Sequence, residues 1–256
     1  MVGSHALSAV QSCIGVAFRR ASALFVTTML LGASTHAGQL EDFNAAVERA
    51  SAHNRVALGY LRTGNTDLAS LEIDRARRAW RNFVGSFAAR RPPIFKDVTR
   101  YTTVLTDVST RLVTADMMMT MGRPDVAAQA LNAIRIEIAN LRQSVGVDVL
   151  ADCILRANAI MEALTKYDKD GLDLAAATTR KGLGEEAAHY DGQLRHCDDI
   201  APDDVRAQST FRRLIDDAKK SLELIPEAIT QKDSGRIHRI LDELRAIDNL
   251  LAFRFG

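Results

Sequence analysis

The segment Gly122–Gly146, GRPDVAAQALNAIRIEIANLRQSVG, is a helix written together with its start and stop signals. Pro124 stands in the first turn, where a backbone N–H has no intrahelical partner and the ring already fixes a helical φ. Val126, Ala130, Ile134, Ile138 and Leu141 follow at spacings of four and three, which puts them on one face of a helix. Gly146 ends the pattern, as glycine does when the chain must leave a helix.

The same pattern extends in both directions. Upstream, Tyr101, Leu105, Val108, Leu112 and Ala115 predict a helix that stops near Gly122. Leu68, Leu71, Ile73, Ala76, Trp80 and Phe83 or Val84 predict another, capped by Asn65 or Thr66 and finished before Arg91-Pro92-Pro93. Phe43, Val47, Ala50, Val56 and Tyr60 mark one from Leu40 to Leu61. Downstream, Val149–Tyr167 is helical, with Leu150, Ile154, Ala157, Met161 and Leu164 on one side. A turn at Asp168–Gly171 leads into a helix from Leu172 to about Leu194, weakened by Gly182, Gly184 and Gly192. Cys197–Asp203 reads as a loop, and Val205–Ile229 as a helix that Pro226 bends or ends early. Asp233-Ser234 caps a last helix with Ile237, Ile240, Leu244, Ile247 and Leu251 as its stripe.

No segment alternates as a strand does. The expected fold is all-α: about eight antiparallel helices forming two tandem four-helix-bundle-like halves, residues 38–146 and 147–256. Short polar turns at Gly64, Gly122, Gly171 and Ser234-Gly235 force successive long helices to run back along one another. Their uneven spacing excludes a tetratricopeptide array, whose period is roughly 34 residues.

Residues 1–37 differ from all this. They hold no acidic residue, carry Arg19-Arg20 ahead of the apolar run ASALFVTTMLLGA at residues 21–33, and finish on Ser-Thr-His-Ala. That order predicts a secretory signal peptide cleaved after Ala37, and the apolar run is too short to span a bilayer. The expected location is periplasmic or secreted. Gly38 is not a cysteine, so a lipid anchor of the bacterial lipoprotein type is unsupported.

Cleavage would alter two counts. Removing Arg19 and Arg20 from 33 basic residues leaves 31 against 32 acidic. That balance gives no field for nucleic acid or an anionic membrane. Arg75, Arg77, Arg78 and Arg81 alternate with Glu72 and Asp74 and read as a solvated helix face. Cys13 would also leave, so that Cys153 and Cys197 remain as an even pair; in an oxidising compartment that predicts a disulfide. The competing reading is a Cys197 thiolate that binds metal beside His196.

From Phe211-x-x-Leu214-x-Asp216-Asp217-Ala218, through Ser234-Gly235-Arg236, to Leu250-Leu251-Ala252-Phe253-Arg254-Phe255, the chain resembles the last hairpin of exported four-helix-bundle cytochromes of the c-prime type. The resemblance covers about 45 residues and implies a four-helix bundle. Those cytochromes attach haem through C-x-x-C-H near the end of this helix, and the chain has no such motif, which excludes covalent haem of that kind. Noncovalent haem would need paired axial groups, with His53 and His238 as the histidines on the first and last helices.

Asp116-Met117-Met118-Met119-Thr120-Met121 is the most unusual local composition. Met117, Met118 and Met121 fall on one helical face, and thioethers suit Cu(I). The plainer expectation is that these methionines fill gaps in a bundle core. His189 and His196 lie two turns apart, too far along a helix to share one ion. Asp168-Lys-Asp170-Gly171-Leu172-Asp173 opens like a calcium loop, but it has Leu172 where an oxygen ligand is needed and Thr179 where the closing glutamate belongs. There is no G-x-S-x-G, phosphate loop, H-E-x-x-H or G-x-G-x-x-G. The acid pairs Asp198-Asp199, Asp203-Asp204 and Asp216-Asp217 read as solvated charge. The expectation is a soluble, non-catalytic module that binds an unidentified protein or small ligand, with copper carriage as the alternative and no stable membrane insertion.

Overall fold

The computed structural model describes residues 38–168 and 172–256. The expected signal peptide and the residues Lys169–Gly171 of the expected turn lie outside these. Within the described residues the chain is helical and has no strand. Helix α1 covers residues 38–62. It is followed by α2 (Thr66–Phe87), α3 (Val98–Thr120), α4 (Pro124–Gln143) and α5 (Leu150–Leu164), which runs on into a 3-10 turn at Thr165–Tyr167. Then come α6 (Ala177–Ile200), the single turn α7 (Asp203–Arg206), α8 (Ser209–Glu223), α9 (Ile225–Gln231) and α10 (Ser234–Phe255).

The helix starts follow their side chains. Asn65 Oδ1 accepts from the N–H of Leu68, Asp97 from Arg100 and Asp233 from Arg236, each filling one of the orphan donors of a first turn. Pro124 occupies the first turn of α4. Two neighbouring pairs, α1 with α2 and α3 with α4, are joined along their length: Phe43 meets Phe83 while His53 meets Glu72 across α1 and α2. Across α3 and α4, Arg100 reaches the Asn140 carbonyl and Arg111 reaches Glu137.

The buried apolar residues form two clusters. One gathers residues from Phe43 to Leu141, contributed by α1–α4. The other runs from Leu150 to Ala252 and comes from α5–α10. Named contacts join the two: Arg142 of α4 pairs with Asp152 of α5 at 2.8 Å, and Arg62 of α1 donates to Asn249 Oδ1 of α10 at 2.5 Å. The backbones of α1 and α10 come close where Gly59 faces Phe253; a Cβ on Gly59 would lie 2.7 Å from that ring.

Three sequence expectations need correction in the second half. The helix expected from Leu172 begins only at Ala177. Asp173 Oδ1 accepts from the N–H groups of Ala175 and Ala176, and Leu174 is buried, so this stretch is fixed as a turn that fills the core. The loop expected over Cys197–Asp203 is mostly helix. The helix α6 runs through all three glycines to Ile200, and the chain turns only at Ala201, which Pro202 holds extended. The single helix expected over Val205–Ile229 is three. Arg206 turns back to the carbonyls of Asp199 and Ala201, at 2.9 Å each, and Gln208 is extended; α8 then ends at Glu223, with Pro226 in the first turn of α9.

Candidate functional site

The structure separates the methionines. Met117 and Met121 are exposed at 50% and 64%, whereas Met118 and Met119 are half-buried against the first core cluster. Gap filling therefore accounts for Met118 and Met119 and not for Met117 and Met121. Cys153 and Cys197 are both fully buried and stand at disulfide-bonding distance, with their Cα atoms 5.5 Å apart. This removes Cys197 as a metal-binding thiolate beside His196, whose Nε2 instead meets Asp148 at 2.8 Å. His53 pairs with Glu72 in the first half and His238 with Asp168 in the second, so each is held by its own carboxylate. His189 lies exposed beside Glu186.

One cluster has the donor types of a metal site. Asp168, His238 and Asp242 place a ligand atom each within 4.8 Å of one another. Arg245 already occupies it, donating to Asp168 Oδ2 at 2.9 Å, and a guanidinium there repels a cation.

A cleft lies between the two halves. It encloses about 530 Å³ and is walled by α1 and α4 on one side and by α5 and α10 on the other. Arg55, Arg62 and Arg135 come from the first half; Glu162, Asp248 and Asn158 come from the second. Arg55 and Arg62, two turns apart on α1, share a face. The Arg55 side chain is only 8% exposed; one nitrogen pairs with Glu48, and the buried Nη1 has no hydrogen-bond partner among the described residues. Arg135 donates to the side-chain Oδ1 of Asn158 at 3.4 Å and has no carboxylate partner among the described residues. Burial pushes its guanidinium down to about 10, and the nearby charges of Arg55 and Arg62 push the same way.

On the opposite wall Asp248 is buried and accepts from the Tyr190 hydroxyl at 3.0 Å and from Asn158 Nδ2 at 2.8 Å. Burial raises its carboxyl to about 6 despite those two donors. The Tyr190 hydroxyl is pushed well up, first by burial and then by Asp248. Sequence reading missed this cavity because it forms from four helices far apart in the chain. Two signals were present: Asp248 sits on the buried stripe four residues after Leu244, and Arg135 interrupts the isoleucine run Ile134–Ile138.

Among the described residues no helix is long and apolar enough to cross a membrane. Comparison with family models, with curated protein sequences and with solved structures finds no match.

Proposed function

We propose that this chain is an exported, non-catalytic binding module that takes a small ligand into the cleft between its two helical halves. The observation that carries the reading is a cleft of about 530 Å³ lined by Arg55, Arg62 and Arg135, of which only Arg55 has a carboxylate partner, Glu48, among the described residues. Pockets between packed units, apolar with a few convergent polar groups, are where small molecules bind. Export is supported by the order of residues 1–37 and by two buried sulfurs at bonding distance.

Native mass spectrometry of the protein purified from its own compartment tests this directly. The expected result is a chain beginning at Gly38 that carries an extra small-molecule mass, lost on denaturation. A chain that stays bare after incubation with a small-molecule extract of that compartment overturns the binding reading, and an intact first residue Met1 overturns the export reading.

Copper carriage is the second reading, favoured by the exposed thioethers of Met117 and Met121. Competition against a Cu(I) chelator, with Met117→Leu and Met121→Leu as controls, tests it: loss of Cu(I) retention in the variants supports it, and unchanged retention sinks it.

A further inference from the structure

We infer that the ligand of this cleft is a small organic acid, with its carboxylate among Arg55, Arg62 and Arg135 and its apolar body against Leu58, Leu61, Ile136 and Leu155. The inference rests on the binding-module reading and names its ligand class.

The charge argument starts from partners. Arg55 lines the cleft and pairs with Glu48 through one nitrogen, which leaves its Nη1 buried without an acceptor. Arg62 and Arg135 have amide oxygens as acceptors, Asn249 at 2.5 Å and Asn158 at 3.4 Å, which satisfy geometry but do not neutralise charge. Two of the acids that share the cavity are engaged elsewhere: Asp248 with Tyr190 and Asn158, and Asp125 with Arg123 at 3.3 Å. The third, Glu162, is exposed. An anion would neutralise the two guanidinium groups of this wall that have no carboxylate partner among the described residues, those of Arg62 and Arg135. Guanidinium forks match the planar oxygens of a carboxylate in bidentate pairs, stronger than neutral hydrogen bonds.

The remaining lining selects an organic acid over a bare inorganic ion. Leu58, Leu61, Ala128, Ile136, Leu155 and Ala159 give the cavity an apolar flank. Ile136 is 49% exposed and belongs to this flank. A phosphate ion would fill only the charged end; an acid with several methylenes uses both.

The test is calorimetric titration of the full chain with acetate, hexanoate, hexylamine and inorganic phosphate. Hexanoate should bind at least tenfold more tightly than acetate, because each buried methylene adds affinity. Hexylamine should not bind. Arg135→Gln and Arg62→Gln should each weaken hexanoate at least tenfold, while Arg195→Gln, on the exposed face of α6, should leave it unchanged. Ile136→Ala is an exposed change that keeps the fold; it should weaken hexanoate about threefold and leave acetate as it was. Phosphate or hexylamine binding as tightly as hexanoate overturns the assignment, as does hexanoate binding untouched by Arg135→Gln in a protein of unchanged circular dichroism. If none of these probes binds while native mass spectrometry still shows a co-purified molecule, the organic-acid assignment falls and the binding module stands.

Discussion

The two halves of this molecule are held together by different means. In the first, aromatic rings gather around Phe43, with Phe95 at 4.9 Å, Phe83 at 5.4 Å, Phe87 at 5.7 Å and Tyr101 at 6.1 Å between centroids. Trp80 stacks on Phe83 at 4.6 Å and donates to the hydroxyl of Ser109 at 3.1 Å. In the second, the core is mostly leucine, isoleucine and alanine, with a single aromatic pair among the described residues, Phe211 and Phe255. Its distinctive ties are chemical: Cys153 to Cys197, and the buried Asp248 with Tyr190 and Asn158. Large rings supply area and shape that aliphatic side chains lack. A half with one aromatic pair among the described residues, built from more and mostly shorter helices, is the one that carries a covalent tie.

If that contrast is right, reduction should act on one half. The bond closes a loop of 44 residues, so losing it should cost about 4 kcal/mol through the unfolded chain. Urea unfolding with and without reductant measures the cost. Hydrogen exchange places it, with protection lost over residues 150–252 and kept over 43–141. Equal loss in both halves would break the comparison.

The link between the halves comes next in size. Arg142 and Asp152 are both 6% exposed, and burial already raises the Asp152 carboxyl. Arg142→Met leaves that carboxyl buried and alone, and should cost about 3 kcal/mol in denaturant unfolding. The double change R142M/D152L removes both charges and should recover most of the loss. A double variant no better than the single one would show that the pair contributes more than the penalty of breaking it.

Asp248 gives the second half a pH dependence. Its carboxyl is raised to about 6 in the folded chain, against 3.8 when unfolded. Between those values the folded state holds a proton that the unfolded state has released, so stability falls as pH rises. Below about pH 4 there is no loss from this group, and by pH 7 the loss approaches roughly 3 kcal/mol, at 1.36 kcal/mol per unit. Subtracting the pH profile of Asp248→Asn from that of the unaltered chain isolates the effect. The difference should grow between pH 4 and 7 and level off above; a flat difference would show that Asp248 ionises freely.

What could be read in the sequence follows from range. Helical stripes and caps depend on neighbours within one or two turns. The structure buries Ala130, Ile134, Ile138 and Leu141 and caps with Asn65 and Asp233 as expected, while Val126 is only half-buried and Leu68 and Leu71 of the α2 stripe are exposed. The errors fall where a distant partner overrides local preference. The burial of Leu174 delays α6, and Arg206 breaks the chain ahead of α8 by taking carbonyls at the end of α6. The cysteine pair was legible because it is a matter of counting. The arginine wall was not, since Arg55, Arg62 and Arg135 each look like one more surface charge until α1 and α4 pack side by side.

The smallest difference between the halves lies in their turns. Gly64, Gly122 and Gly146 occupy the left-handed region, with φ of 73°, 69° and 73°. At the end of α9 the same task falls to Lys232, at φ 52°, whose N–H caps the carbonyls of Ala228 and Ile229. A side chain in this conformation costs about 1 kcal/mol that glycine does not. Lys232→Gly should therefore stabilise the chain by up to about 1 kcal/mol, less whatever entropy glycine adds to the unfolded state. Gly122→Ala should destabilise it by about the same amount, since no neighbouring atom contacts the added methyl group and the conformation is the whole cost. Thermal unfolding of the two variants gives opposite shifts if backbone conformation governs both turns. A loss of stability in Lys232→Gly would show that the Lys232 side chain contributes more at that turn than its strained backbone removes.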